Sequence, residues 1–223
     1  MNFKISKALI ISPHPDDETL GVGGSIKRFI DNGVSVSILV VGAHMPPLYS
    51  EKEHEQTIHE AKKAFAELGV KNFNFLNIPA TKINELPIAE LNGMISKYVY
   101  EFEPDTVFLP FPDRHIDHKV VFESSIVSCR PNRINAPSKV LMYETVSETH
   151  WNVFGAEHTF APDFYINIDD TLKYKISAFD CYKSQNQNTP SRSVDSIEAL
   201  AKFRGSQNGC TYAEAFKVAR IVI

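Results

Sequence analysis

The chain has 223 residues, of which 43% are hydrophobic and 22% charged, as expected for a globular protein with one substantial core. A net charge of −4 at pH 7 gives no basic surface of the kind that nucleic-acid binding needs, so no nucleic-acid partner is expected. The longest apolar runs are far shorter than the roughly 20 residues of a membrane-spanning helix, and the N-terminal apolar stretch is too short for a signal peptide. We therefore expect a cytoplasmic protein without a membrane partner.

Strand-like and helix-like segments alternate along the first two thirds of the chain. The predicted strands are 8–12, 34–41, 72–78, 105–110 and 139–144. The predicted helices are 19–33, 51–68, 88–102 and a segment after His118. Beyond Glu144 the pattern is looser, and we expect one further strand at 164–168 and helices at 170–184 and 194–206. The alternation predicts an α/β fold: a single Rossmann-like domain over residues 1–223, with a mostly parallel sheet and helices on both faces.

Two segments rich in histidine and acidic residues follow predicted strands. "SPHPDDET" (12–19) comes after the first strand, and "PFPDRHIDH" (110–118) comes after the fourth. In the common strand order 3-2-1-4-5, strands one and four are neighbours, and ligands bind beyond their carboxyl ends. We therefore expect the two segments to face each other across one crevice.

The residue types in these segments predict a divalent metal site. The candidates are His14, Asp16, Asp17, Glu18, His115, Asp117 and His118. Catalytic zinc typically takes three nitrogen or oxygen ligands and keeps one position for water, so two histidines and one carboxylate suffice. Because Asp16 and Asp17 are adjacent, they cannot easily reach the same ion, and one of them is predicted to act as acid or base. Helix capping would explain the acids of the first segment, but it explains neither His14 nor the second cluster.

The two segments also resemble the signatures of a known family. "SPHPDDETLGVGGSI" (12–26) is similar to A-H-P-D-D-E-x-L-G-x-G-G-T, the first signature of the LmbE-like or PIG-L family of zinc-dependent de-N-acetylases. "DRHIDH" (113–118) resembles the second signature, H-P-D-H. Segments 61–70, 165–185 and 212–216 are also similar to family segments, so the resemblance covers nearly the whole chain.

This resemblance assigns roles to individual residues. It implies three zinc ligands: His14, Asp17 and His118. It implies that Asp16 is the general base and that His115 assists the oxyanion or the leaving amine. Asp117 would lie outside the ligand set and orient a histidine, and Glu18 would have a structural role near the site. Iron or cobalt could replace zinc in a site of two histidines and one aspartate.

The chain departs from the family pattern at two positions. Ile116 stands where the second signature usually has proline. Thr57, three residues before Glu60, stands where relatives often carry an arginine, so a substrate-contacting arginine is missing there, and whether Arg114 compensates is left open. Substrate-binding residues are therefore unknown. Three residues after the fifth strand are candidates, although loop packing is the favoured role: Glu144, Ser147 and Trp151.

Several other signals do not support a site. "GVGG" lacks the glycine at position 26 that a dinucleotide fingerprint needs, and His54 and His59 are five residues apart and so do not share a helix face. The remaining histidines are expected to be surface or packing residues: His44, His150 and His158. The three cysteines form no CxxC pair, so neither a thiolate zinc site nor a disulfide framework is predicted.

The expected function is metal-dependent hydrolysis of the N-acetyl group of an N-acetylglucosamine-type sugar or sugar conjugate, a small-molecule substrate. One alternative is that the same metal centre cleaves another acyl amide or an ester. An alternative of another class is a non-catalytic sugar- or nucleotide-binding protein, although Asp16 beside a full ligand set argues against it. Assembly into homo-oligomers is compatible with the resemblance.

Overall fold

The computed structural model describes residues 4–153, 155–186 and 189–223. In these ranges seven strands form one sheet: β1 Lys7–Ser12, β2 Ser35–Ala43, β3 Asn72–Pro79, β4 Thr106–Pro110, β5 Lys139–Tyr143, β6 Phe164–Asn167 and β7 Ala213–Ile221. The α-helices are α1 Asp17–Asp31, α2 Glu51–Leu68, α3 Ile88–Phe102, α4 Ile116–Ser128, α5 Leu172–Phe179 and α6 Val194–Ser206. Short 3-10 turns lie at Ile83–Glu85 and Thr149–Trp151.

The strand order is β3-β2-β1-β4-β5-β7-β6. Strands β1 to β5 are parallel, and β7 runs antiparallel to both β5 and β6. Residues 8–10 of β1 pair in register with 106–108 of β4, so the carboxyl ends of these two strands lie side by side. The predicted order 3-2-1-4-5 and the α/β fold class are confirmed.

The sheet has a hydrophobic core on each face. Alternate residues of β1 point to opposite sides, with Ile10 in the core beneath α1 and α2 and Leu9 in the core beneath α3 and α4. Both side chains are fully buried. Strands buried on both faces read as continuous apolar runs, which is why "ALII" shows no alternation with polar residues. The expected helices on both faces are thus present.

Some element boundaries differ from the prediction. Helix α4 begins at Ile116 and not after His118, because His115 caps it: the His115 Nδ1 atom accepts a hydrogen bond from the Asp117 N–H at 3.1 Å. Helix α1 begins at Asp17 rather than residue 19, and α5 ends at Phe179 rather than residue 184. The two histidine-bearing segments therefore lie partly in the first turns of helices.

Strand β7 is absent from the prediction. It carries Glu214, which is buried and accepts hydrogen bonds from the Gly24 and Ser25 N–H groups of α1 at 2.9 and 2.7 Å. The Lys175 ammonium of α5 lies 2.6 Å from the same carboxylate. This buried ion pair joins α1, α5 and the sheet. Across the described ranges, no helix has the length and apolarity needed to cross a membrane.

Candidate metal centre and active site

A cavity of ≈ 160 Å³ lies at the carboxyl ends of β1 and β4. Its walls are formed by His14, Asp16, Asp17, His44, Tyr49, Ala80, Thr81, His115, His118, Glu148, Gln185 and Arg192. The two segments meet there directly, since His14 Nε2 is 2.8 Å from Asp117 Oδ2. The structure thus brings together residues that are about 100 positions apart in the sequence.

Close backbone packing holds the first segment in place. The Gly42 N–H at the end of β2 donates to the Pro13 carbonyl at 2.7 Å, and a Cβ atom on Gly42 would lie only 2.6 Å from that oxygen. A glycine is therefore required at this position for the strand end to approach the loop. Asp16 adopts φ 124°, a region that residues with a Cβ atom rarely occupy. Such strain persists only where the surroundings fix it, and it is concentrated at functional sites.

Glu18 helps to hold the backbone of Asp16 in this conformation. Its buried carboxylate accepts hydrogen bonds from the Asp16 N–H at 3.1 Å, the Ser12 hydroxyl at 3.1 Å, the Thr19 hydroxyl at 2.7 Å and the Tyr182 hydroxyl at 2.6 Å. Burial raises the pKa of Glu18, while these hydrogen bonds oppose the rise. The Glu18 carboxylate is therefore surrounded by hydrogen-bond donors, and its role is to stabilise the conformation of the loop.

Each of two histidines is held by a carboxylate on one side of its ring. His14 Nε2 lies 2.8 Å from Asp117 Oδ2, and His118 Nδ1 lies 3.0 Å from Asp113 Oδ2. Asp113 is fully buried and also accepts hydrogen bonds from the His115 N–H at 3.0 Å and the Thr149 hydroxyl at 2.8 Å. These contacts fix the orientation of both rings.

The other nitrogen of each ring faces Asp17. His14 Nδ1 and His118 Nε2 both lie 3.2 Å from the same oxygen, Asp17 Oδ2. If the ring hydrogens point to Asp117 and Asp113, then two nitrogen lone pairs and a carboxylate oxygen converge on one point. Such a convergence is repulsive unless positive charge lies among the three atoms.

Either protons or a metal ion can provide that charge. Without an ion, burial would lower the pKa of His14, but its hydrogen bonds to Asp117 and Asp17 outweigh burial and raise the pKa to about 9. The pKa of His118 is likewise raised, with burial opposed by the charge of Asp17, and the pKa of Asp17 is lowered chiefly by His118 against the effect of burial. These shifts show that the surroundings of the three atoms favour positive charge between them.

The spacing fits a tetrahedral ion. Ligand atoms bound at ~2.0–2.1 Å around zinc lie ~3.3–3.4 Å apart. The two 3.2 Å separations are close to this value, and within the described residues the buried His118 Nε2 atom makes no hydrogen bond. The residues present therefore fit a divalent metal.

His115 is the third histidine that could reach an ion. One nitrogen from each of His14, His115 and His118 lies within 4.8 Å of the others. However, His115 Nδ1 already accepts the Asp117 N–H, and burial together with the charges of His14 and His118 lowers its pKa to about 4. The neutral ring must then carry its hydrogen on Nε2, which makes that atom a donor and not a metal ligand.

Asp16 lies beside an arginine that sequence reasoning missed. Arg192 Nη1 donates to Asp16 Oδ2 at 3.1 Å, across 176 positions of sequence. Burial raises the pKa of Asp16 to about 7, and Arg192 opposes that rise. Arg114 is exposed and does not line the cavity, whereas Thr57 is buried and donates to a backbone carbonyl of its own helix. Among the described residues that line the cavity, the arginine is therefore Arg192.

His44 also lies in the cavity wall, contrary to its expected place at the surface or in general packing. Only 9% of its surface is exposed, its ring stacks on His14 with centroids 6.3 Å apart, and its Nδ1 lies 3.2 Å from Gln185 Nε2. Burial lowers the pKa of His44 to about 4, so the ring is neutral. The sequence does not indicate that His44 belongs to the site, because its neighbours there come from distant segments.

The candidates after β5 separate into two groups. Glu144 is buried in an ion pair with Arg204, with oxygen-to-nitrogen distances of 2.8 and 2.7 Å, and has a packing role. Ser147 and Trp151 line a second cleft next to the cavity. Of the other histidines, His150 bonds to Glu144 at 3.0 Å and His158 lies in a different cleft.

Comparison with known proteins agrees with this geometry. The family model "PIG-L: GlcNAc-PI de-N-acetylase" matches residues 9–127, which include both histidine-bearing segments. The chain belongs to the PIG-L family. The predicted family and the predicted enzyme class, an N-deacetylase, are therefore confirmed.

Individual PIG-L relatives match over most of their length. Diacetylchitobiose deacetylase from Thermococcus kodakarensis is 27% identical over 228 residues, covering 96% of this chain and 83% of that protein. The structure of N,N'-diacetylchitobiose deacetylase from Pyrococcus horikoshii, in complex with an inhibitor, superposes with a TM-score of 0.77 at 26% identity, covering 96% of this chain and 84% of that one.

The fold extends beyond deacetylases. The 4-carboxy-2-hydroxymuconate hydratase GalB from Pseudomonas putida KT2440 has a TM-score of 0.79 at 15% identity, with 98% of each chain covered. That likeness concerns the fold alone, so the chemistry of this PIG-L chain must be argued from its site.

Proposed function

We propose that this PIG-L protein is a zinc-dependent hydrolase that removes the acetyl group from an N-acetylglucosamine-type sugar conjugate. The observation that carries the proposal is the convergence of His14 Nδ1, His118 Nε2 and Asp17 Oδ2 in the cavity that also holds Asp16. The names of the relatives support an N-acetylated sugar as the substrate. The reaction adds water across the amide and yields acetate and a free amine.

His14, Asp17 and His118 would hold the metal, and Asp117 and Asp113 would orient the two imidazoles. When bound, a divalent ion polarises the amide carbonyl and makes water more acidic. Zinc is favoured because three nitrogen or oxygen ligands with one open side match its catalytic sites, although iron or cobalt accept the same donors.

Asp16 is the general base of the proposed reaction. Its buried carboxylate faces the cavity, and a pKa of about 7 suits a group that takes a proton from water and later returns it. The Arg192 guanidinium fixes the carboxylate through its 3.1 Å contact. As water attacks the carbonyl carbon, Asp16 accepts a proton; when the C–N bond breaks, that proton can pass to the amine nitrogen.

His115 is placed to stabilise negative charge on the amide oxygen. Because its ring is neutral and its Nδ1 is engaged by the Asp117 N–H, its Nε2–H is available as a donor in the cavity. A fixed donor aimed at a developing oxyanion is typically worth about 2.7–4 kcal/mol of transition-state stabilisation. This role differs from metal binding and predicts that His115→Ala keeps its metal.

The test combines metal analysis with acetate release. Wild type, Asp16→Asn, His115→Ala and His118→Ala are purified in parallel, and bound metal and acetate released from N-acetylglucosamine conjugates are measured. Asp16→Asn and His115→Ala should keep about one ion per chain and lose activity, whereas His118→Ala should lose the ion as well.

Three results would contradict parts of the proposal. Full activity of Asp16→Asn would remove the general-base assignment, and loss of metal in His115→Ala would favour the three-histidine ligand set. Metal-loaded wild type that releases acetate from none of the conjugates, yet cleaves another acyl group, would replace the substrate assignment.

A further inference from the structure

A second cleft of ≈ 280 Å³ adjoins the catalytic cavity. It is lined by Ser147, Glu148, Trp151, Gln185, Thr189, Ser191 and Arg192. Three of these side chains also line the catalytic cavity: Glu148, Gln185 and Arg192. These three side chains form a wall between the two cavities. A molecule in the catalytic cavity could therefore contact one side of this wall, while a group attached to it contacts the other side.

Trp151 gives this cleft an apolar surface. It ends the 3-10 turn that follows β5, and 53% of its surface is exposed. Among the described residues, the remaining lining is polar and includes three hydroxyl groups and an amide. A pyranose ring presents C–H groups on its face and hydroxyls around its rim, so an exposed indole bordered by hydrogen-bonding groups matches it. The cleft volume equals roughly nine waters at ~30 Å³ each, enough for one such ring.

The charges of the cleft disfavour an anion. Its charged side chains are Glu148 and Arg192. Arg192 lies 3.1 Å from Asp16 through Nη1 and 3.7 Å from Glu148 through Nη2. One guanidinium thus faces two carboxylates and has no unmatched positive charge to offer a carboxylate or phosphate.

We propose that this cleft binds the aglycone of the substrate, and that the aglycone is an uncharged, hydroxyl-rich ring seated on Trp151. This inference rests on the proposed function and narrows it: substrates with a neutral sugar aglycone are preferred over those with an anionic one. Arg192 connects the two halves of the site, since it contacts the base Asp16 and lines the aglycone cleft.

Trp151 is the single tryptophan of the chain, so its fluorescence reports the cleft directly. Wild-type protein is titrated with three deacetylated compounds that it cannot process further: methyl glucosaminide, a glucosaminyl-glucose disaccharide and glucosamine 1-phosphate. The disaccharide should change the Trp151 emission in a saturable way and bind at least tenfold more tightly than the methyl glycoside. The phosphate should bind no more tightly than the methyl glycoside.

Variants test the same assignment through kinetics. The readout is the ratio of kcat/KM for acetate release from an N-acetylated disaccharide to that from methyl N-acetylglucosaminide. Trp151→Ala should lower this ratio about tenfold, and Trp151→Phe should restore most of it. Phe203→Ala removes an aromatic ring of matched exposure, 55%, that lines neither cavity and should leave the ratio unchanged. Glu148→Gln should raise the affinity for glucosamine 1-phosphate at least threefold.

The outcomes separate the two proposals. If no acetate is released but Trp151 emission still reports saturable disaccharide binding, the proposed reaction is wrong, and the assignment of the cleft as a binding site for a neutral sugar ring holds. If acetate is released while the emission does not respond to the disaccharide, the aglycone assignment is wrong and the proposed function holds. Tighter binding of the phosphate than of the disaccharide would overturn the preference for a neutral aglycone.

Discussion

Asp113 offers a sharp test of the proposed metal site, because it would act on a bound ion through His118. Its carboxylate accepts three hydrogen bonds: from His118 Nδ1 at 3.0 Å, the His115 N–H at 3.0 Å and the Thr149 hydroxyl at 2.8 Å. Asp113→Asn replaces one acceptor oxygen by an NH₂ group of nearly the same shape. At least one of the three donors then faces another donor, and the His118 ring loses its negatively charged partner.

The size of the effect follows from the role of such partners. Carboxylates that orient a metal-bound histidine typically contribute 10–100-fold to metal affinity. Since each tenfold change equals about 1.4 kcal/mol, Asp113→Asn should weaken zinc binding by about 1.4–2.8 kcal/mol. Acetate release at limiting zinc should fall in proportion, and excess zinc should restore a large part of it.

The assay is a zinc competition titration against a chromophoric chelator, with thermal unfolding measured beside it. Asp105→Asn is the matched control: Asp105 Oδ2 accepts the Ser6 and Lys7 N–H groups at 2.8 and 2.9 Å, at the opposite end of β1. The control should lose stability while its zinc affinity stays within twofold of wild type. A folded Asp113→Asn protein with wild-type zinc affinity would refute the reasoning.

Two further predictions concern stability. Gly21→Ala should destabilise the protein by about 1–3 kcal/mol in chemical denaturation, because the added Cβ would lie 2.2 Å from the buried Tyr143 ring. In contrast, a Cβ on Gly93 would have no described atom within 4 Å beyond its chain neighbours and the backbone of its own helix, so Gly93→Ala should stabilise α3 by up to about 1 kcal/mol. Equal effects would contradict the packing argument. Burial raises the pKa of Glu144, but hydrogen bonds, including those from Arg204, outweigh burial and hold the pKa below its ordinary 4.5. The contribution of Glu144 to stability is therefore present above pH 4.5 and is lost as the pH falls below that value. The stability gap between wild type and Arg204→Met in urea unfolding should therefore be largest at neutral pH and shrink below pH 4.5, and a gap that widens in acid would contradict the assignment.

The parallel part of the fold could be predicted because its signals are local. Apolar runs such as residues 8–12 and 105–110 end where acidic and histidine-rich segments begin. The alternation of strands and helices predicts a parallel sheet, and the common strand order places the carboxyl ends of these two strands side by side. Strand β7 could not be predicted in the same way. It contains the buried Glu214, whose carboxylate is satisfied by Lys175 and by backbone N–H groups of α1, and none of these partners is near it in sequence.

The candidate site shows the same division. His14 and Asp17 belong to one short segment whose residue types predict metal binding from the sequence alone. Arg192 and His44 are isolated in the sequence, and only the folded chain brings them to the cavity. Asp113 lies within the second segment, but its role depends on the direction of the His118 ring, which sequence spacing does not reveal.

The hydrogen bond between Tyr182 and Glu18 has a consequence for how the protein is made. It spans 164 positions, so a growing polypeptide carries the whole "SPHPDDE" loop long before the hydroxyl that secures it leaves the ribosome. Residues 9–127 contain every proposed ion ligand, yet a fragment ending there would leave the Glu18 carboxylate without its closest donor. The signature is thus encoded early, while the donor closest to Glu18 comes from the final third of the chain.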